Sequence, residues 1–284
     1  MVIWRVSFVG FFGVYIYTMP VSFRHVKRIT TEPNSIFYTL LKQPDNKFIG
    51  FGRKNWSQHT RLLKKVILNE KFDIIEDKND TFNGEDPRSF YFNNKMYVID
   101  NYLNDMYLIE HDTASATKFT KIRMSGKNLS FIPHGGKLYF MHYIMPFVMY
   151  TCDVNTGICE KVEVGNHQNT HNYEYRGGTP GYLVKGTDNK YFGYGHRTYM
   201  VGCVMTHDVF KWVVTFPADD GAPTIEYFEV EQPPSSKNIC DPTSVVVIND
   251  CDGGSDKAYL ITAETNEPWF HNQDYITNVY EIVD

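Results

Sequence analysis

TFNGEDPRSFYFNNKMYVID, residues 81–100, is the stretch from which the fold can be read. It sets two carboxylates, Glu85 and Asp86, between Gly84 and Pro87, with Arg88 following. Glycine and proline around polar residues mark a turn. Alternating apolar residues then run from Ser89, break at residues 93–95 and resume to Asp100, the pattern of a two-stranded hairpin. A polar motif followed by a hairpin is a unit, and the unit recurs. Its starts fall near Pro33, Asn83, Gly126, Arg176 and Asn238, at successive spacings of 50, 43, 50 and 62 residues. Repeats of ~40–50 residues, each of about four strands, are the sequence mark of propeller blades.

The rest of the chain agrees. Short β-rich runs alternate with turns every ~8–12 residues. Helix signal is nearly absent. Residues 61–70 could coil, but their LLKKVIL run reads equally well as a strand. The predicted fold is an all-β, five-bladed β-propeller formed by residues 31–284 as a single domain. Loops of different blades converge on the axis of such a ring, so motifs far apart in sequence can share a site.

Residues 1–30 are read separately. They are apolar and aromatic, and a basic cluster, Arg24, His25, Lys27 and Arg28, follows Pro20. The uncharged run 6–23 is marginal against the ~20 residues a spanning helix needs, and Pro20 interrupts it. Strand, signal peptide and weak anchor are the readings, with a spanning segment not favoured, so membrane association stays open.

Composition narrows the class. Aromatics make up 15% of the 284 residues, which suits sheets, and a net charge of −5 argues against a nucleic-acid surface. The five cysteines form no disulfide framework and no CxxC, so no metal site is indicated. Cys152 and Cys159 flank a turn and could pair, although separate buried thiols are the expectation. Sequons stand at Asn55, Asn79 and Asn128. A glycan on Asn128 would obstruct the expected site, so a cytoplasmic setting is expected over a membrane-anchored one in the secretory pathway. Asp250 and Asp252 spell DxD in a polar loop, not the strand context a metal–nucleotide motif needs.

The ordered motifs GEDPR (84–88), KN (127–128), GGTP (177–180), GHR (195–197), DPTS (241–244) and TAET (262–265) resemble those of the five-bladed β-propeller mannoside phosphorylases, glycoside hydrolase family 130, and of related trypanosomatid β-mannosyltransferases. The resemblance implies that Asp86 is the acid/base of an inverting displacement at the anomeric carbon, with Glu85 and Arg88 fixing its loop and the sugar hydroxyls. Lys127 and Asn128 would bind phosphate and sugar. Arg176, Gly178 and Thr179 match the family's glycine-rich stretch, the glycines admitting a ligand to the backbone and Arg176 gripping phosphate. His196 and Arg197 fall where the family places a phosphate-contacting histidine. Glu264 is the nearest counterpart of a late acidic residue, with Trp269 and Phe270 as a sugar-stacking platform. His207, Asp208 and residues 271–274 could build an acceptor site. A weaker similarity, carried by GYGHRTY…HDVFKW and TAETNEPWF…QDYITNVYEI, links the chain to glycan-decorating glycosyltransferases of large algal viruses, including a β-xylosyltransferase.

The family's hairpin lysine lacks a matching context here, since Lys185 precedes a turn. An incomplete phosphate set favours a glycosyltransferase that joins a nucleotide sugar or sugar-1-phosphate donor to a carbohydrate acceptor, without a further cofactor. A phosphorylase or hydrolase, and a non-catalytic glycan-binding propeller, are the alternatives.

Overall fold

The structure is a computed structural model that describes residues 20–29, 36–54, 62–102, 105–111, 118–123, 126, 128–165, 175–219, 221–248, 256–266 and 275–283. These residues form strands and turns only, as five antiparallel sheets around one axis.

The first strand, β1 (Ser22–Ile29), belongs to the last blade. Blade one is β2 (Ile36–Lys42), β3 (Phe48–Lys54), β4 (Leu62–Leu68) and β5 (Ile74–Asn83). Blade two is β6 (Glu85–Phe92), β7 (Lys95–Tyr102), β8 (Asp105–His111) and β9 (Lys118–Ile122). Blade three is β10 (Ser130–His134), β11 (Lys137–Tyr143), β12 (Val148–Cys152) and β13 (Cys159–Val162). In blade four, β14 (Tyr175–Arg176) and β15 (Tyr182–Leu183) share the inner edge of β16 (Lys190–Val201), followed by β17 (Val204–Thr215) and β18 (Thr224–Glu229). Blade five is β19 (Ile239–Ile248), β20 (Lys257–Thr265) and β21 (Ile276–Val283), with β1 paired antiparallel to β21 as its fourth strand. Part of the segment set apart in sequence, residues 22–29, is therefore a propeller strand. Residues 1–19 lie outside the described residues.

Turn chemistry sets the hairpins. Asn93 and Asn94 have φ of 50° and 61°, and Gly135 and Gly136 have φ of 55° and 73°. Two consecutive positive φ values define the tight primed turn whose twist matches paired strands. The aromatics fill the spaces between blades. Phe90 of blade two stacks on Phe131 of blade three at 5.1 Å, and Trp212 of blade four shares an apolar cluster with Ile132 and Phe147 of blade three. Each pair of adjacent blades encloses its own apolar cluster.

At the axis the inner strands are sheet edges, whose unpaired N–H groups need partners. Small buried hydroxyls supply them across blades. Ser89 N–H donates to Thr39 Oγ1 at 3.1 Å, Leu40 N–H to Ser244 Oγ at 3.0 Å and Gly178 N–H to Ser130 Oγ at 3.1 Å.

Cys152 and Cys159 face each other across β12 and β13 and form a disulfide. This corrects the expectation of separate thiols. Cys240 is a buried free thiol and Cys203 an exposed one.

Candidate active site at the propeller axis

Asp86 reaches the axis because β6 is bulged. Glu85 pairs with Asn101 and Arg88 with Ile99, so Asp86 and Pro87 together oppose Asp100. A bulge re-aims a side chain that regular pleating would send into a sheet face. Asp86 has φ of 53°, a left-handed conformation that costs a non-glycine residue free energy and is held by its surroundings.

Arg53 of β3 holds one flank, with Nη2 3.2 Å from Glu85 Oε2 and Nη1 3.6 Å from Asp86 Oδ1. Arg88 holds the other. It is 2% exposed and donates to the carbonyls of Asp86 (3.3 Å), Pro87 (2.9 Å) and Gly178 (2.5 Å). Burial lowers its pKa from the ordinary value, opposed only in part by the charges of Asp86 and Asp241 within electrostatic reach. Its Nη2 has no hydrogen-bond partner among the described residues.

Blade four brings the basic side. Arg176 pairs with His196 across β14 and β16, so both side chains take the same face. Arg176 is exposed and close enough to act on His196 electrostatically, and its guanidinium has no hydrogen-bond or ion-pair partner among the described residues. His196 is 1% exposed, and burial holds its imidazole neutral, with its pKa lowered to about 3. Its ring stacks on His207 at 4.5 Å and 14°. His207 Nδ1–H donates to Asp241 Oδ1 at 2.6 Å, since an ionised carboxylate only accepts. Burial opposes ionisation of Asp241, but His207, which hydrogen-bonds it, and the Arg88 guanidinium hold its carboxyl well below the usual range. Tyr275 completes the rim, within electrostatic reach of Asp241, Asp86 and Arg53, and its ring meets Phe37 at 6.0 Å.

Asp86, Glu85, Arg88, Arg176 and His196 thus come together. Asn128, with φ of 57°, stands at the entry to β10, where its carbonyl abuts Gly177. Lys127, Trp269, Phe270 and residues 271–274 lie outside the described residues. The glycines have a reason other than ligand access. A Cβ on Gly178 would lie 2.7 Å from Pro242 Cγ and 2.8 Å from Tyr194 O, and one on Gly177 would strike Asn128 O. Thr179 is buried, and its hydroxyl accepts from Tyr194 N–H at 3.0 Å and donates to Pro180 O at 2.9 Å. Gly178 joins blades, while Thr179 ties β16 to the GGTP segment within blade four.

Two residues are placed apart from this group. Arg197 follows His196 on β16 and so takes the opposite face, pairing with Asp208 at 3.2 Å and lying over the rings of Tyr175 and Tyr199. Glu264 is fully buried and engaged within its own part of the fold, accepting from Ser235 (2.5 Å), Thr262 (2.6 Å), Tyr280 (2.8 Å) and Asn278 (3.0 Å). Sequence reasoning missed Arg53 and Asp100, and quoted Asp241 within DPTS without assigning it. It grouped His207 with an acceptor site, away from His196. An open cleft of about 590 Å³, lined by Phe92, Asn93, Gly136, Thr151 and Ile158, lies at the far end of β6 from Asp86.

The sequence matches no protein-family model and no curated protein. Similarity appears in the fold. A hypothetical protein from Leishmania major superimposes with a TM-score of 0.59 at 12% identity, covering 92% of this chain and 91% of that one. MPT-4, a mannose phosphorylase from Leishmania mexicana in complex with phosphate ion, gives 0.59 at 11% identity over 90% and 88%. The GH43 protein BlXynB from Bacillus licheniformis gives 0.56 at 12% identity over 89% of this chain and 56% of that one. None of these bears on the algal-virus resemblance. The likeness is one of architecture, and this chain shares it: an all-β, five-bladed propeller.

Proposed function

We propose that this chain is a carbohydrate-active enzyme that moves a glycosyl group, with inversion, between a phosphate-bearing donor and a hydroxyl acceptor, with Asp86 as acid/base. The observation behind the proposal is the convergence of Asp86 and Arg88 from blade two with Arg176 and His196 from blade four at one end of the axis. Asp86 on blade two with the Arg176 guanidinium across from it on blade four suits a reaction in which a proton moves on one side of the sugar and phosphate charge develops on the other.

In the transfer direction the acceptor hydroxyl gives its proton to Asp86 as its oxygen attacks the anomeric carbon opposite the phosphate. The bond from that carbon to the phosphate oxygen breaks, and its electron pair leaves with the phosphate. The Arg176 fork, which has no partner among the described residues, would meet that charge. The donor class is a nucleotide sugar or a sugar-1-phosphate. The second reading is phosphorolysis, the reverse of transfer from a sugar-1-phosphate donor. There protonated Asp86 gives its proton to the glycosidic oxygen while a phosphate oxygen attacks. The likeness to a mannose phosphorylase found with phosphate ion favours it.

The test combines binding with turnover. The melting temperature of the full chain is measured with phosphate, sugar-1-phosphates and nucleotide sugars, because a ligand of the folded state raises it by mass action. A rise with a nucleotide sugar alone supports transfer, and a rise with phosphate supports phosphorolysis. With the active ligand, Asp86→Asn should lower turnover by about 10²–10⁴-fold while keeping the thermal shift. No shift with any of these ligands, or full turnover in Asp86→Asn, would sink the proposal.

A further inference from the structure

The Nδ1 atom of His196 is buried and has no hydrogen-bond partner among the described residues. Buried polar atoms are ordinarily paired. It faces Asp241 Oδ1 at 3.5 Å, an oxygen that already accepts the proton of His207 Nδ1 at 2.6 Å. One ligand atom from each of His196, His207 and Asp241 lies within 4.8 Å of the others. Two imidazole nitrogens and a carboxylate oxygen are thus held around one point, and one of the nitrogens lacks a hydrogen-bond partner among the described residues.

We propose that His196, His207 and Asp241 bind a divalent first-row transition-metal ion. Such an ion sits about 2.0–2.2 Å from imidazole nitrogen and carboxylate oxygen, so its neighbouring ligand atoms are separated by roughly 3–3.5 Å. The His196–Asp241 separation already matches, and the His207–Asp241 contact would lengthen by less than about 1 Å. The donor set selects the metal class. Calcium and magnesium prefer all-oxygen shells, whereas imidazole suits zinc, copper, iron and nickel.

The scaffold holds the donors without the ion. His196 and His207 project from adjacent strands of one hairpin with stacked rings, and Asp241 precedes the bulge in β19. Metal entry requires the His207 proton to move from Nδ1 to Nε2. That leaves Nδ1 free to ligate the ion. Arg88 and Arg176 stand close by, so with a single carboxylate ligand the bound ion would leave an excess of positive charge. Its remaining positions therefore suit water or an anion. The spacing of residues 196, 207 and 241 matches no metal motif, which is why the sequence indicates none.

The inference uses only the geometry of these side chains and is read without turnover, so it stands or falls separately from the glycosyl-transfer proposal. The full chain, stripped with chelator, is titrated with Co²⁺ and followed by visible absorption. One Co²⁺ per chain is expected, with the d–d bands of a low-symmetry nitrogen–oxygen site and without the thiolate charge-transfer band that exposed Cys203 would give. Zn²⁺ should abolish the bands by competition. His207→Ala and Asp241→Asn should each weaken binding about tenfold or more while keeping the far-ultraviolet dichroism of the parent. Should either variant unfold, the unmodified chain decides by NMR, where Zn²⁺ must shift the imidazole resonances of His196 and His207 together. Absence of saturable binding near one equivalent, equal affinity in parent and folded variants, or unmoved resonances would overturn the proposal.

Discussion

Asp100 carries no hydrogen bond on either carboxylate oxygen among the described residues, yet it is buried directly beneath the Asp86 bulge. A Cβ on Gly84 would overlap its carboxyl group. Burial first, and then the charge of Glu85, push its pKa to about 8. Unfolded, it would titrate near ~3.9. Between those values the folded chain holds a proton that the unfolded chain lacks, so Asp100 makes stability fall as pH rises. His196 acts in the opposite sense. Burial lowers its pKa to about 3, against ~6.5 unfolded, so between those values the unfolded chain holds the extra proton and stability rises with pH. The two oppose each other up to pH ~6.5, and above it Asp100 acts without that opposition. Unfolding free energy, measured with chelator present, should therefore fall between pH ~6.5 and 8, with a slope of at most about 1.4 kcal/mol per pH unit, and Asp100→Asn should flatten the profile. A flat profile in the parent, or an unchanged slope in the variant, refutes this account.

At the scale of elements, the GGTP segment is where blades two, three, four and five meet. Gly178 donates to Ser130 of blade three, accepts from Arg88 of blade two, and has the Pro242 ring of blade five where a Cβ would go. Gly178→Ala should cost about 1–3 kcal/mol, because backbone and a proline ring yield less readily than a flexible side chain. The denaturant midpoint should drop with the slope unchanged. A glycine kept for ligand access would instead leave the midpoint alone and weaken binding only. Much of this level was legible in the sequence, because its causes are local. Alternation from Ser89 and the Asn93–Asn94 and Gly135–Gly136 turns fix hairpins from a few neighbouring residues. Asp86, Arg88, Arg176 and His196 were legible as motifs. Arg53 and Asp100 were not, since their roles arise only when blade one meets blade two and when a bulge leaves a β7 carboxylate unpaired. The place of Arg197 was within reach, because on a strand the residue after His196 must point away from it.

At the scale of the molecule, the ring is closed by its first described strand. β1 completes the last blade, with Phe23 packed between blades four and five and Ile29 between blades five and one. Its local pattern reads as a strand, but nothing local names a partner some 250 residues away; the register pairs Ser22 with Val283 and Ile29 with Thr277. An open propeller would expose β21 as an edge and leave two inter-blade clusters incomplete, and unpaired edges invite association. A chain beginning at residue 30 should therefore melt lower than the parent and associate as it unfolds. A peptide spanning residues 20–29, added in trans, should restore the melting temperature in a concentration-dependent way, because it binds only the folded ring. The same peptide with Phe23→Ala and Ile29→Ala should fail, each buried side chain being worth about 2–5 kcal/mol. Rescue distinguishes closure by β1 from any contribution of residues 1–19, which the peptide lacks. If the truncated chain melts with the parent, or if the doubly substituted peptide rescues equally well, the ring does not depend on this strand. The convergence of blades two and four on the axis must then be held by the inter-blade cores alone.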